Sequence, residues 1–165
     1  MTPDNDFFPL IPGRALEYAT RASGGEGSLR VETLRVVERP GRVEAACRSV
    51  ARRPGEPAAA RDFTAVIDAD AVRSQGEIEF PLPGAVGQRW ARAPRDYEIE
   101  ALDGVAQTPA GRFSPCIVVR YLIAGGDAGF GRRYYAPGVG FVLETCADEA
   151  DPFEVSLLRV EEPKP

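Results

Sequence analysis

Apolar and polar side chains alternate along most of this chain, and the period is two. Helices need apolar residues at spacings of three and four over several turns, and that pattern is not sustained anywhere over three turns. The alternation predicts strands at residues 15–21, 28–38, 43–50, 62–68, 71–74, 77–80, 88–93, 96–102, 104–108, 116–124, 130–135, 141–146 and 153–160, some of them very short. In the second, Leu29, Val31 and Thr33 share one parity and Leu34 and Val36 the other, so a bulge or bend is expected near Thr33. In 116–124, Ile117, Val119, Tyr121 and Ile123 fill one face while Val118 and Leu122 occupy the other. A strand apolar on both sides is expected to be central and covered twice.

Glycine and proline punctuate these segments. The chain holds 17 glycines and 15 prolines in 165 residues, about a fifth against an average near 12%, and they are spread along its length. Connections this short join antiparallel neighbours, since a parallel crossover needs roughly a dozen residues. The expected fold is all-β: one domain over 1–165 of about ten antiparallel strands, a curved sheet or a flattened barrel or sandwich, with short flexible tails at 1–6 and 161–165. Phe7-Phe8-Pro9-Leu10-Ile11-Pro12-Gly13 has two prolines and is neither helix nor central strand. It should pack Phe7, Phe8 and Leu10 on the core and turn at Pro12-Gly13. Phe80-Pro81-Leu82-Pro83-Gly84 echoes it and could mark a duplicated half-domain. Tyr134-Tyr135-Ala136-Pro137-Gly138-Val139-Gly140-Phe141 reads as strand, corner, strand, with Gly138 and Gly140 supplying backbone angles other residues resist. On that strand only one of the two tyrosines can face the core.

Three motifs, in order, resemble a family of bacterial β-rich proteins without assigned function, often exported proteins or lipoproteins. They are Phe8-Pro9-Leu10-Ile11-Pro12-Gly13 through Leu16-Glu17-Tyr18, then Pro109-Ala110-Gly111-Arg112-Phe113-Ser114-Pro115-Cys116-Ile117-Val118-Val119, then Tyr134-Tyr135-Ala136-Pro137-Gly138-Val139-Gly140-Phe141-Val142. The family usually carries tryptophan where this chain has Leu16. The resemblance implies an antiparallel domain with a curved sheet like those of lipoprotein carriers, and it implies no catalytic residues.

Composition removes several chemistries. There is no histidine, so Ser-His-Asp and Cys-His nucleophile arrangements and histidine metal sites are excluded. The one lysine, Lys164, sits in the C-terminal tail. A net charge of −5 argues against nucleic acid and anionic membrane surfaces, which need a basic footprint. Cys47, Cys116 and Cys146 lie in apolar strands with wide spacing, as buried small hydrophobes do. No disulfide framework, metal or cofactor is expected. No transmembrane segment or signal peptide precedes the first strand, which places the chain as given in the cytoplasm, or in the periplasm or envelope if a leader was removed.

The remaining polar candidates each have an ordinary reading. Glu98, Glu100 and Asp103 could form a carboxylate pair but match a solvated strand face. Asp148, Glu149 and Asp151 lack the spacing of a calcium loop. The glycine-rich stretch from Gly125 to Gly131 feeds a strand, not the helix N-terminus a phosphate loop requires. Aromatics are the stronger candidates: Tyr18, Trp90, Tyr97, Phe113, Tyr121, Tyr134 and Tyr135 could line the concave side of a curved sheet and hold an apolar ligand. The expected function is non-enzymatic: binding or scaffolding for an apolar small molecule or a protein partner. The alternative is an assembly component that self-associates through a sheet edge. An enzyme using the Glu98, Glu100 or Asp103 carboxylates is the least favoured reading.

Overall fold

The computed structural model describes residues 5–165. Twelve strands form one antiparallel sheet: β1 Ala15–Ala22, β2 Gly25–Arg39, β3 Arg42–Arg52, β4 Ala59–Asp68, β5 Ala71–Ser74, β6 Glu77–Pro81, β7 Arg89–Arg92, β8 Arg95–Thr108, β9 Gly111–Ile123, β10 Gly129–Ala136, β11 Gly140–Cys146 and β12 Phe153–Glu161. The spatial order is β6-β5-β4-β3-β2-β1-β12-β11-β10-β9-β8-β7. Every neighbour pair is a hairpin in sequence except β1 with β12, which brings the two ends of the chain together at the middle of the sheet. A single turn of 3-10 helix at Ala124–Gly126 joins β9 to β10.

The expected all-β, antiparallel, single-domain architecture holds, and of the forms expected it is the curved sheet. Twelve strands form where about ten were expected. Segments 96–102 and 104–108 are one strand, β8, whose pairing with β9 steps through bulges between Ile99 and Ala106. The sheet also stays open and does not close into a barrel: β6 and β7 are its edges. Across the gap the two edges meet through an ion pair, Arg92 Nε to Glu77 Oε1 at 3.1 Å, not through a ladder. The bulge anticipated near Thr33 is present, as a register shift between Thr33 and Arg35 against β3.

Curling gives the sheet a packed interior. Val43, Ile67, Val72, Phe80, Tyr97, Ile117, Val119, Tyr121, Ile123, Tyr135 and Cys146 form its main core cluster. Register explains the membership: Gly131, Arg133 and Tyr135 of β10 lie opposite Tyr121, Val119 and Ile117 of β9, so these residues share one face. Strand β9 is buried on both sides from Cys116 to Val119. Its second cover is a separate cluster holding Cys116, Ala106, Val142 and Leu157. The far end of the β8–β9 hairpin doubles back to make it, and Ala110 N donates to Leu157 O at 3.0 Å.

The N-terminal segment packs on the core as anticipated, and it does so as a plug over the interior. Phe7, Phe8 and Leu10 pack on the main cluster, and the segment is pinned at both ends. Gly138 N donates to Asp6 O and Gly13 N to Thr33 O, each at 2.7 Å. Residues 1–4 of the expected tail lie outside the described residues, while the other tail begins inside β12 at Glu161. The two Phe-Pro-Leu segments converge on one side chain: Phe8 and Phe80 both pack on Tyr135, with ring centroids 6.3 and 4.9 Å away.

Candidate functional site

Beneath the plug the concave face is not filled. A cavity of about 330 Å³ opens there. One wall is the run of facing positions Leu16 and Tyr18 of β1, Leu29, Val31 and Thr33 of β2, and Cys47, Phe63 and Ala65 of β3 and β4. Cross-strand pairing puts them side by side, Tyr18 with Leu29, Thr33 with Cys47 and Cys47 with Phe63. Phe8, Pro9 and Leu10 form the roof, and Phe141 and Val155 complete the apolar lining.

One end of this cavity is charged. Arg133 on β10 lies directly opposite Glu144 on β11, and its Nε donates to Glu144 Oε1 at 3.0 Å. On its other side Arg133 Nη1 is 3.5 Å from Glu79 Oε2 of edge strand β6. Two phenols complete the network. Tyr121 donates its O–H to Glu144 Oε2 at 2.6 Å, and Tyr135 donates to Glu79 Oε2. Gly131 makes room for Tyr121, since a Cβ there would lie 2.2 Å from the phenol ring carbon Cζ. Glu144 is buried, with Arg133 and Glu79 about four-fifths covered.

These surroundings fix the protonation of the donors. Burial raises the Tyr121 phenol far above its ordinary value, and the Glu144 charge adds to it. Burial and then Glu79 do the same for Tyr135 and for Tyr18. Burial works against the charge of Arg133, but Glu144, Tyr135 and Glu79 outweigh it and hold the guanidinium well above its usual value. Near neutral pH all three phenols stay protonated. They donate their hydrogen bonds to Glu144, Glu79 and the Phe141 carbonyl.

The seven aromatics singled out from sequence are dispersed. Tyr18 lines the cavity, with its O–H donating to Phe141 O at 2.7 Å. Tyr121 and Tyr135 lie behind the charged end, fully buried. Trp90 and Tyr97 stack at 5.4 Å and line a different cleft of about 280 Å³ between edges β6 and β7; there the buried Trp90 Nε1 has no partner among the described residues. Phe113 and Tyr134 pack on the second cluster. Of the paired tyrosines it is therefore Tyr135 that faces the main core, and Tyr134 the other side.

Glu98, Glu100 and Asp148 are engaged elsewhere. Glu100 takes a two-point bond from Arg132 at 2.7 and 3.1 Å, which holds its carboxyl below the usual range. Glu98 is 3.7 Å from Arg89. Asp148 caps its own loop, accepting from Ala150 N at 2.7 Å. The three thiols are buried and unpaired, each in a different cluster, and burial raises those of Cys47 and Cys116. Glu79, Arg133 and Glu144 were not singled out from sequence. The signal was available: Arg133 shares parity with Tyr135, and Glu144 with Cys146, so both charges occupy core-facing positions of one hairpin.

No family model matches this chain, and no curated protein matches it. Solved structures do. A provisionally named exported protein with a YmcC-like fold from Bacteroides fragilis NCTC 9343 superposes with a TM-score of 0.70 at 14% identity, over 94% of this chain and 99% of that one. A provisionally named lipoprotein from Parabacteroides distasonis ATCC 8503 gives 0.67 at 16% identity, over 96% and 100%. Both likenesses span nearly the whole of each chain, and what they show in common is the fold: this chain is an open, curled antiparallel sheet of the YmcC-like kind.

Proposed function

We propose that this is a non-enzymatic binding protein of the bacterial envelope that holds a small amphiphilic molecule under its N-terminal plug. The observation carrying the reading is the open cavity of about 330 Å³ on the concave face, apolar along most of its wall and charged at one end. That volume falls at the lower end of the roughly 300–1,000 Å³ of ligand pockets, which are characteristically apolar with a few fixed polar groups. The names of the two similar structures, one for export and one for a lipoprotein, support the envelope location. Self-association through a sheet edge finds less support. The edges β6 and β7 are five and four residues long, charged, and turned towards one another, as protected edges are.

Native mass spectrometry of the protein purified from its own host tests the reading. A retained small molecule that dissociates on activation, and is lost when Val31→Trp fills the cavity, is the expected result. A bare chain mass, together with no binding of a neutral environment-sensitive dye such as N-phenylnaphthylamine, would refute it.

A further inference from the structure

We infer that the cavity selects an amphiphile with a cationic, hydrogen-bond-donating head, such as a primary alkylamine, over one with a carboxylate head. This rests on the cavity being the binding site.

The argument is an inventory of what the charged end has left to offer. Arg133 is the obvious anchor for an anion, but its Nε is committed to Glu144 at 3.0 Å and its Nη1 lies 3.5 Å from Glu79. The second arginine of the lining, Arg14, is likewise occupied. It holds Glu162 through Nε and Nη2 at 3.3 and 2.9 Å, and Gly138 O through Nη1 at 2.7 Å. Arg95 lies over the Tyr121 ring, 4.5 Å from its centroid, and is not part of the lining. Both phenols point their protons at carboxylates. Among the described residues Arg133 Nη2 alone of the lining's guanidinium nitrogens has no acceptor, and it belongs to the one guanidinium that Glu144 and Glu79 already share.

The acceptors are not exhausted. Glu144 has both oxygens engaged, by Tyr121 and Arg133. Glu79 has one: Oε2 takes Tyr135 and faces Arg133, while Oε1 has no hydrogen-bond donor among the described residues. Glu79 lines the cavity, and its side chain keeps 19% of its surface accessible. Ser74 and Gln75 stand in the lining as well and can accept through their side-chain oxygens. An ammonium group reaching Glu79 Oε1 completes a carboxylate that has only part of a cation. A carboxylate head would meet two acidic side chains across a single shared guanidinium.

Displacement of N-phenylnaphthylamine by decylamine, decanol and decanoate at neutral pH tests this. These chains are matched and only the head differs. The ammonium head should displace the dye at about a tenth or less of the decanoate concentration, the factor expected of one charge-assisted hydrogen bond, with decanol between them. In Glu79→Gln the amine-to-decanoate ratio should fall towards one, and in Tyr135→Phe, which keeps Glu79, it should persist. Decanoate displacing as well as decylamine from the wild-type protein overturns the head-group inference and leaves the binding reading intact, a result that needs no variant. A preference unchanged in Glu79→Gln overturns the assignment to Glu79. Failure of the dye to bind at all overturns the head-group inference, and together with a bare chain mass it overturns the binding reading as well.

Discussion

Replacing Arg133 with methionine should cost the protein a large part of its stability, and the size of the loss can be worked out in advance. The guanidinium sits between Glu144 and Glu79, about four-fifths buried. Methionine matches much of its length and none of its charge. Two carboxylates then lose their cation inside the curled sheet, each keeping a tyrosine donor. Removing one partner of a buried charged network costs about 3–5 kcal/mol, because the remaining charge stays buried without its counterion. Partial exposure puts Arg133 towards the lower end, about 3 kcal/mol. That is a substantial share of the roughly 5–15 kcal/mol typical of a folded domain, and corresponds to a drop in Tm of about 6–12 °C. Urea unfolding followed by far-ultraviolet circular dichroism measures it. The sharper test is the double variant Arg133→Met with Glu144→Gln. If the loss comes from a stranded carboxylate, neutralising Glu144 in the Arg133→Met background should cost less than it does in the wild type. Coupling of about 1–3 kcal/mol is then expected. Strict additivity of the two losses, or an Arg133→Met loss below about 1 kcal/mol, would refute the claim that these charges act as one network.

Three further outcomes follow from the same structure. Gly131→Ala puts a Cβ into the Tyr121 phenol, so the ring must move off Glu144; overpacking costs about 1–3 kcal/mol, readable as a lowered urea midpoint that Tyr121→Phe does not reproduce in full. Phe8→Ala removes a half-buried ring from the plug and should cost about 2 kcal/mol, with faster amide hydrogen exchange confined first to residues 5–13. Asp68 supplies the acid-limb test. Burial works to raise its carboxyl, but the Asp70 and Ala71 N–H groups and Arg73 more than offset this and hold it below the usual range. A lowered folded value means stability present above the unfolded carboxylate value of about 3.9 and lost as pH falls through the folded one. Asp68→Asn should therefore be less stable than wild type at neutral pH and show a shallower loss between about pH 4 and 2 in urea titrations.

Much of the fold was legible because a half-buried sheet writes its period into the chain. Alternation located every strand, and the parity switch after Thr33 located a bulge. The double-sided apolarity of Ile117, Val118 and Val119 forecast a strand covered twice. What covers it was not legible. The second face is closed by the bent end of the β8–β9 hairpin, and a bend made by successive bulges between Ile99 and Ala106 reads in sequence as a break between two strands. Closure was not legible either. Whether a twelve-stranded sheet ends as a barrel or stays open depends on how its edges meet, and here β6 and β7 meet through the Glu77–Arg92 ion pair and not through a ladder.

The site was harder to read for a different reason. Aromatic residues advertise themselves as lining, yet in a protein with almost no helix they are also what fills the core, and most of the seven do that. The charges that shape the cavity are scattered at positions 79, 133 and 144, and they come together only because β6 curls over to face β10 and β11. Local parity could have exposed two of them. Arg133 and Glu144 lie on either side of the Pro137-Gly138 corner, and pairing the hairpin with a one-residue bulge at Val142 sets them opposite each other on the face that also carries Tyr135 and Cys146. A salt bridge on the core side of a hairpin is expensive to bury, so its presence there needs a reason. Glu79 bears on it: it brings a second carboxylate to the same guanidinium, lines the cavity, and keeps Oε1 without a donor among the described residues. A sequence optimised only for packing would place apolar residues at all three positions.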